Sequence, residues 1–248
     1  MSAPWIHVPD LSAAGGGSVA VGADEARHAA GSRRLRDGDA VTLFDGRGSV
    51  AAAHLRVGSG EGVHAQFAAV ERRTPCSPRI EIASAVPKGD RLATLLESIA
   101  PLAVAAWTPL ECRHSVVHFS AALAQRSQRV LIAACKQSRQ PFLPQIAPAR
   151  SVAACCDDAR ARSLRILLAH PHAHPQGGAA QELPDACAPM VAAGVLVLIG
   201  PEGGFSTEEI SDAHARGASR MALGESILRM ELAASCAAAI LRLGRVAG

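Results

Sequence analysis

"VLVLIGPEGGFSTEEI", Val195–Ile210, is the stretch whose reading decides the fold. Val195 to Ile199 form an unbroken apolar run, as a central strand of a parallel sheet covered on both faces requires. The run stops at a Gly-Pro-Glu-Gly-Gly turn, and Ser206-Thr207-Glu208-Glu209 then fits the S-x-x-E capping box that opens a helix. Gly200 to Phe205 therefore reads as a loop at the carboxyl end of a strand, where α/β sheets bind ligands. Gly203 and Gly204 let the backbone take positive φ and approach a ligand closely. The alternative is a plain glycine-rich turn.

The same pattern extends on both sides of this stretch. "RIEIASAVPKG" reads as a strand and turn, and "DRLATLLESIA" carries apolar residues at helical spacing up to Pro101, which ends or kinks the helix. "AVAAWTPLE" reads as a strand. "SAALAQRSQRVLIAACKQS" reads as an amphipathic helix with Ser120 as N-cap. "LRILLAHP" and "SRMALGES" are further strands, and the last helix runs from Met230 to Leu243 with Gly244 as its C′ glycine. Strands alternating with helices imply a mostly parallel sheet with helices on both faces.

Residues 1–73 read differently. Short apolar runs, "AVTLFDG" and "VHAQFAAV" among them, alternate with glycine turns such as the Asp-Gly pairs at 37–38 and 45–46. This is the signature of a small β-barrel or sandwich. "RRTPCSPR", Arg72–Arg79, serves as the linker, giving domains 1–73 and 74–248. The 248 residues suffice for two such domains, and 49% are apolar, as expected of a globular chain. No apolar run is long enough to cross a bilayer, and no basic leader precedes one, so no membrane partner is expected. Seven scattered cysteines without a C-x-x-C pair suit a reduced, cytoplasmic protein.

The glycine loop is a poor phosphate cradle. It lacks G-x-G-x-x-G and Gly-Lys-Ser/Thr, and Glu202 would repel a phosphate with no lysine or arginine within the loop to offset it. S-adenosyl-L-methionine, with ribose hydroxyls, adenine and a sulfonium, fits better. A second glycine turn, "MALGESILRMELAA", places Gly224 between a short strand and a helix. Two such loops at neighbouring strand ends make one pocket, with Ile227 and Leu228 as apolar wall and Arg229 as a fixed charge. Arg229 reads equally as a helix-surface arginine.

"LIGPEGGFSTEEI" followed by "LGESILRMELAA" resembles the C-terminal signature of the RsmE-type 16S rRNA (uracil-N3)-methyltransferases, and the likeness runs the length of the chain. "HAAGSRRLRDGDAVTLFDGRG", "AVPKGDRL" and "IAACKQSRQPFLPQI" are similar to further segments of that family. The resemblance implies an α/β fold: a PUA-like, RNA-binding β-barrel over 1–73 and a SPOUT methyltransferase domain over 74–248 with a C-terminal trefoil knot. It implies a homodimer that binds S-adenosylmethionine and methylates N3 of a uridine in 16S rRNA or the small ribosomal subunit. The cofactor positions it implies are Leu168, His170, Leu198, Ile199, Gly200, Pro201, Glu202, Gly203, Gly204, Leu223, Gly224, Ile227 and Leu228. Arg229 and Glu231 match its L-R-x-E motif and become the catalytic candidates. Arg229 is the residue to stabilise a uracil anion, because its guanidinium is permanently charged.

The RNA-side candidates are Arg27, His28, Arg33, Arg34, Arg36, Arg47, Arg113, Gln137 and Arg139. A solvated charged face is the other reading of this cluster. The chain departs from the family pattern at several places. Lys136 stands where the family has Glu, His114 where it often has Arg, and Met230 and Leu232 replace small hydroxyl residues. "ESIAPLAVAAW" replaces a K-x-x-E-L-G-V-like segment. A non-catalytic RNA-binding protein and an enzyme retargeted to another RNA are the competing readings. His170, His172 and His174 alternate along an extended loop, but no cysteine or carboxylate is spaced to complete a site, so no metal is expected.

Overall fold

The computed structural model describes residues 3–11, 16–23, 25–27, 36–57, 62–169 and 193–243. The chain divides into two compact units, Met1–Pro75 with Ile132–Leu143, and Cys76–Leu131 with Pro144–Gly248.

In the first unit, β1 (Trp5–His7), β2 (Gly17–Ala20), β3 (Ala40–Phe44), β4 (Ser49–Val57) and β5 (Val63–Phe67) join in the order β1-β3-β4-β5-β2, with β6 (Glu71–Arg72) on β4. Only the β1–β3 pair is parallel; the others are antiparallel. β4 alternates cleanly: Ala51, Ala53 and Leu55 are buried, while Ala52, His54 and Arg56 face outward. Its inward set packs with Ile6, Val8, Leu11, Val41, Leu43 and Phe67 into one core. Among the described residues, 23 and 25–27 are helical within an otherwise β region, with Ala26 N donating to Gly22 O at 2.8 Å. The Asp-Gly turn at 45–46 joins β3 to β4. The buried Asp45 carboxylate accepts from the backbone N of Arg47 at 2.7 Å and of Ser49 at 2.9 Å, which fixes the turn.

The segment 132–143 packs against this turn. A Cβ on Gly48, already at φ +97°, would come within 2.5 Å of the Phe142 ring, so only glycine fits. Lys136, the charge reversal against the family pattern, is answered by Glu25. Its Nζ donates to both carboxylate oxygens, at 2.7 and 2.9 Å, and the side chains are only 11% and 19% exposed.

In the second unit, β7 (Arg79–Ala85), β8 (Ala106–Glu111), β9 (Gln145–Ile146), β10 (Arg150–Ser151), β11 (Leu164–Ala169), β12 (Gly194–Ile199) and β13 (Ser219–Met221) form a sheet ordered β10-β8-β7-β12-β11-β13, with β9 on β8. Every pairing in it is parallel. All six residues of β12 are buried, as cover on both faces demands. The helices are α1 (Arg91–Ile99), α2 (Ala121–Ser138, of which the residues from Ile132 on belong to the first unit), α3 (Val152–Ala161), α4 (Thr207–Ala215) and α5 (Met230–Leu243). α5 packs on β7, β12 and α1; α3 packs on β11 and α4. Ser120 caps α2 through Leu123 N at 3.3 Å, and α1 stops at Ile99, just before Pro101. Gly244 lies outside the described residues.

α3 has no counterpart in the sequence reading. Its buried face is Val152, Cys155, Cys156 and Ala159, small and sulfur-bearing residues that give a weak periodic signal. Burial pushes the Cys155 thiol up to about 12, so it behaves as a core hydrophobe. At the far end of α5, Arg242 donates to Pro78 O at 2.9 Å, Ala103 O at 2.8 Å and Leu102 O at 3.2 Å. It thereby satisfies two carbonyls that follow α1 and one just before β7.

An ion cluster ties β7 to α3. Glu81, 4% exposed, accepts from Arg79 at 2.7 Å and from Arg162 at 2.7 and 2.9 Å; Arg162 and Arg150 also bind Asp158. Burial pushes the Glu81 carboxyl up, but the hydrogen bonds from Arg162 and Arg79 outweigh it and hold it below the ordinary 4.5. A carboxylate depressed in the folded state stabilises fully above its unfolded value and loses that contribution as pH falls through its folded value. Thermal unfolding should therefore be flat near neutrality and fall below about pH 4.5. Glu81→Gln should cost about 2 kcal/mol at pH 7, less than the ~3–5 kcal/mol for a fully buried pair, and flatten that acid limb. Lys136→Glu should lower stability by about 3 kcal/mol by leaving two carboxylates facing each other, and Lys136→Glu with Glu25→Lys should recover most of it in denaturant melts.

Candidate functional site

The site is built at the carboxyl edge of the parallel sheet. β12 ends at Ile199 and the chain turns through Gly200 to Phe205 before α4. The capping box is formed: Ser206 Oγ accepts from Glu209 N at 3.2 Å, and Glu209 Oε2 accepts from Ser206 N at 2.8 Å. Glu209 Oε1 meanwhile accepts from Arg113 N at 2.9 Å. The next residue, His114, donates from Nδ1 to Gly204 O at 3.1 Å; a carbonyl only accepts, so this nitrogen carries the proton. A Cβ on Gly203 would lie 3.2 Å from the His114 Cβ, tighter than most such contacts, so a larger residue there would push His114 back by a few tenths of an ångström. The segment after β8 thus clasps the glycine loop from outside.

Inside the loop lies a cavity of about 380 Å³. Gly200, Pro201, Glu202, Gly203 and Gly204 line one side; Leu223, Gly224, Ile227, Leu228 and Arg229 line another. Ile199 contributes from the strand end. The two glycine turns therefore share one pocket, but their strands are not neighbours: β11 lies between β12 and β13 and brings Ala169 into the wall. Leu168 and Leu198 are fully buried within β11 and β12 and do not line the cavity. His170, with the histidines at 172 and 174, lies outside the described residues. Among the described residues, no group of histidines, cysteines or carboxylates could hold a metal. The sequence reading missed Phe205, Ser226, Met230 and Ala233, which complete the lining. Met230 and Ala233 carry a signal it could have used: they open the buried stripe of α5.

Glu202 is not an uncompensated charge. No cation lies within its own loop, yet Arg91, the first residue of α1, reaches it, with Nη1 2.6 Å from Oε1. Arg229 has no hydrogen bond or ion pair from its side chain among the described residues. Glu231 does not line the cavity; it sits in the first turn of α5 with Oε2 buried and without a hydrogen-bond partner among the described residues. The RNA-side candidates divide. Arg27, Arg36, Arg47, Gln137 and Arg139 are exposed and belong to the first unit, where an Arg47–Phe142 bridge brings the 45–48 turn beside the 141–143 segment. Arg113 belongs to the second unit, beside the glycine loop. His28, Arg33 and Arg34 lie outside the described residues.

The comparisons with known proteins agree with this geometry. A model of an RNA methyltransferase domain matches residues 74–242, and one of an RNA methyltransferase PUA domain matches residues 21–67. The chain is 26% identical over 244 residues to the ribosomal RNA small subunit methyltransferase E of Mycobacterium bovis, spanning 96% of this chain and 90% of that protein. A methyltransferase structure from Legionella pneumophila with the cofactor SAM bound superposes with TM-score 0.83 at 26% identity, covering 98% of both chains. The ribosomal RNA small subunit methyltransferase E of Neisseria gonorrhoeae bound to S-adenosyl methionine gives TM-score 0.81 at 25% identity, covering 97% of both. The expected architecture, an α/β domain preceded by a PUA-like β domain, is the one observed. Matched over most of its length, the chain belongs to the RNA methyltransferase family that these domain models describe, the RsmE type its motifs resemble.

Proposed function

We propose that this protein transfers a methyl group from S-adenosylmethionine to N3 of a uridine in 16S ribosomal RNA. The observation that carries the reading is the convergence of the two glycine loops after β12 and β13, the end of β11 and Arg229 on one cavity. The cavity fits the cofactor. Its volume of about 380 Å³ is within the ~300–1,000 Å³ usual for small-molecule sites. Gly204 and Gly224, at φ +74° and +141°, have open space where a side chain would stand, so a ligand can approach the backbone closely there. Leu223, Phe205 and Met230 supply apolar surface for an adenine ring.

Bound S-adenosylmethionine supplies an electrophilic methyl group on a sulfonium whose sulfur leaves as a neutral thioether. The residues of the chain do the rest. Gly200–Gly204, Leu223, Gly224, Ile227 and Leu228 hold and orient the cofactor, which is most of what a transfer with a good leaving group needs. Arg229 stabilises the negative charge that uracil develops as its N3 proton is lost; a planar, permanently charged fork suits the uracil oxygens. Glu231, off the cavity wall, takes a supporting role rather than one in contact with substrate.

The arginines of the first unit, with His28, Gln137 and Arg113, supply contacts to RNA phosphates. Leu232, Ile240 and Leu243 are exposed along one face of α5, 49%, 38% and 66% respectively, and this apolar stripe suits a second copy of the chain. A homodimer and a knotted C-terminal chain are part of the proposal. No helix among the described residues is long and apolar enough to cross a membrane, and the substrate puts the protein in the cytoplasm.

Calorimetry should show S-adenosylmethionine binding to the wild-type protein, with Arg229→Ala keeping that affinity within about threefold. Methyl transfer by the same variant should fall by at least ~10²-fold, the scale of losing one preorganised charge stabiliser; an undiminished rate refutes the role. Deleting the gene should remove N3-methyluridine from small-subunit rRNA, and the wild-type gene should restore it. A modification map unchanged by deletion would rule out this substrate.

A further inference from the structure

Among the described residues lining the cavity there is one carboxylate, Glu202, and one cation, Arg229. Opposite charges on one pocket wall attract each other, and a guanidinium committed to a carboxylate is not available to a developing anion. That pairing is absent. Glu202 Oε1 accepts from Arg91 Nη1 at 2.6 Å, while the Arg229 side chain is unpaired among the described residues. Arg91 comes from 111 positions away in the chain and does not itself line the cavity. Its neighbour Asp90 pairs with Arg126 at 2.9 Å on the surface. The Arg91 and Glu202 side chains are 43% and 47% exposed, so the pair contributes little to stability and its removal leaves the fold intact. Its consequence is local.

We infer that Arg91 is a positioning residue of the reaction: by capturing Glu202 it holds the pocket's carboxylate at the rim and leaves Arg229 uncommitted for the substrate. The inference rests on the proposed methyl transfer, and it concerns catalysis rather than cofactor affinity. With the full-length protein, saturating S-adenosylmethionine and 16S rRNA, Arg91→Ala should lower kcat about tenfold, short of the ~10²–10³-fold for deleting a charge stabiliser outright. Cofactor affinity by calorimetry should not move. Arg91→Lys should keep most of the rate, because a lysine still pairs with Glu202. The double variant Arg91→Ala with Glu202→Gln should regain most of what the single variant loses, since a neutral amide does not sequester Arg229. An Arg91→Ala enzyme that turns over at the wild-type rate overturns the inference, and so does a double variant no faster than the single one. Wild-type protein that transfers no methyl to 16S rRNA defeats the underlying reading before any variant is compared.

Discussion

Seven strands running in one direction place every strand's carboxyl end on one edge of the sheet, and the rest of the site depends on that constraint. The loops after β12 and β13 and the end of β11 can meet at one cavity only because the three strands lie side by side and run in the same direction. Parallel strands pair side by side only with cover on their faces, and β12 has all six residues buried, with α5 packed on it. Burial of the strands and exposure of the loops are two consequences of the same arrangement. The apolar strand makes the base rigid, and the glycine turn at its tip lets backbone come close to whatever occupies the cavity.

Around that edge, the charged groups are matched by partners distant in sequence. Arg91 meets Glu202, and Arg113 and His114 meet the glycine loop and its helix cap; towards the opposite edge Arg162 joins Glu81, 81 positions away. In the first unit the lysine at 136 meets Glu25. The last pair changes the meaning of a departure from the family pattern. Taken alone, Lys136 looks like a lost acidic group; with Glu25 beside it, the site is electrically complete and mostly buried. The departures at Met230 and Leu232 differ in kind. Met230 is buried in the cavity wall, whereas Leu232 is half exposed on the outer face of α5.

What was legible in the sequence was local. The strand before the glycine loop, the capping box at Ser206, the N-cap at Ser120 and the span of α5 depend on neighbours within a few positions, and they were readable for that reason. The α3 helix was not, because its inward face is made of alanine, cysteine and one valine. At the site, the glycines and Arg229 were legible through their motif, while the charge balance was not: a glutamate in a loop says nothing about an arginine at the start of a remote helix. Leu168 and Leu198 show the opposite error. They sit beside loop residues in sequence, yet the pleat turns them into the sheet interior.

Glu209 does more than start a helix. Both oxygens of its carboxylate are engaged, one by Ser206 and the other by Arg113, so a single side chain joins the exit of the glycine loop to the segment that follows β8. Aspartate is a methylene too short to span the two donors, and glutamine offers only one acceptor oxygen to share between them. Among the twenty amino acids, therefore, glutamate alone closes this bracket, and the ligand meets a loop whose shape is already set before it arrives.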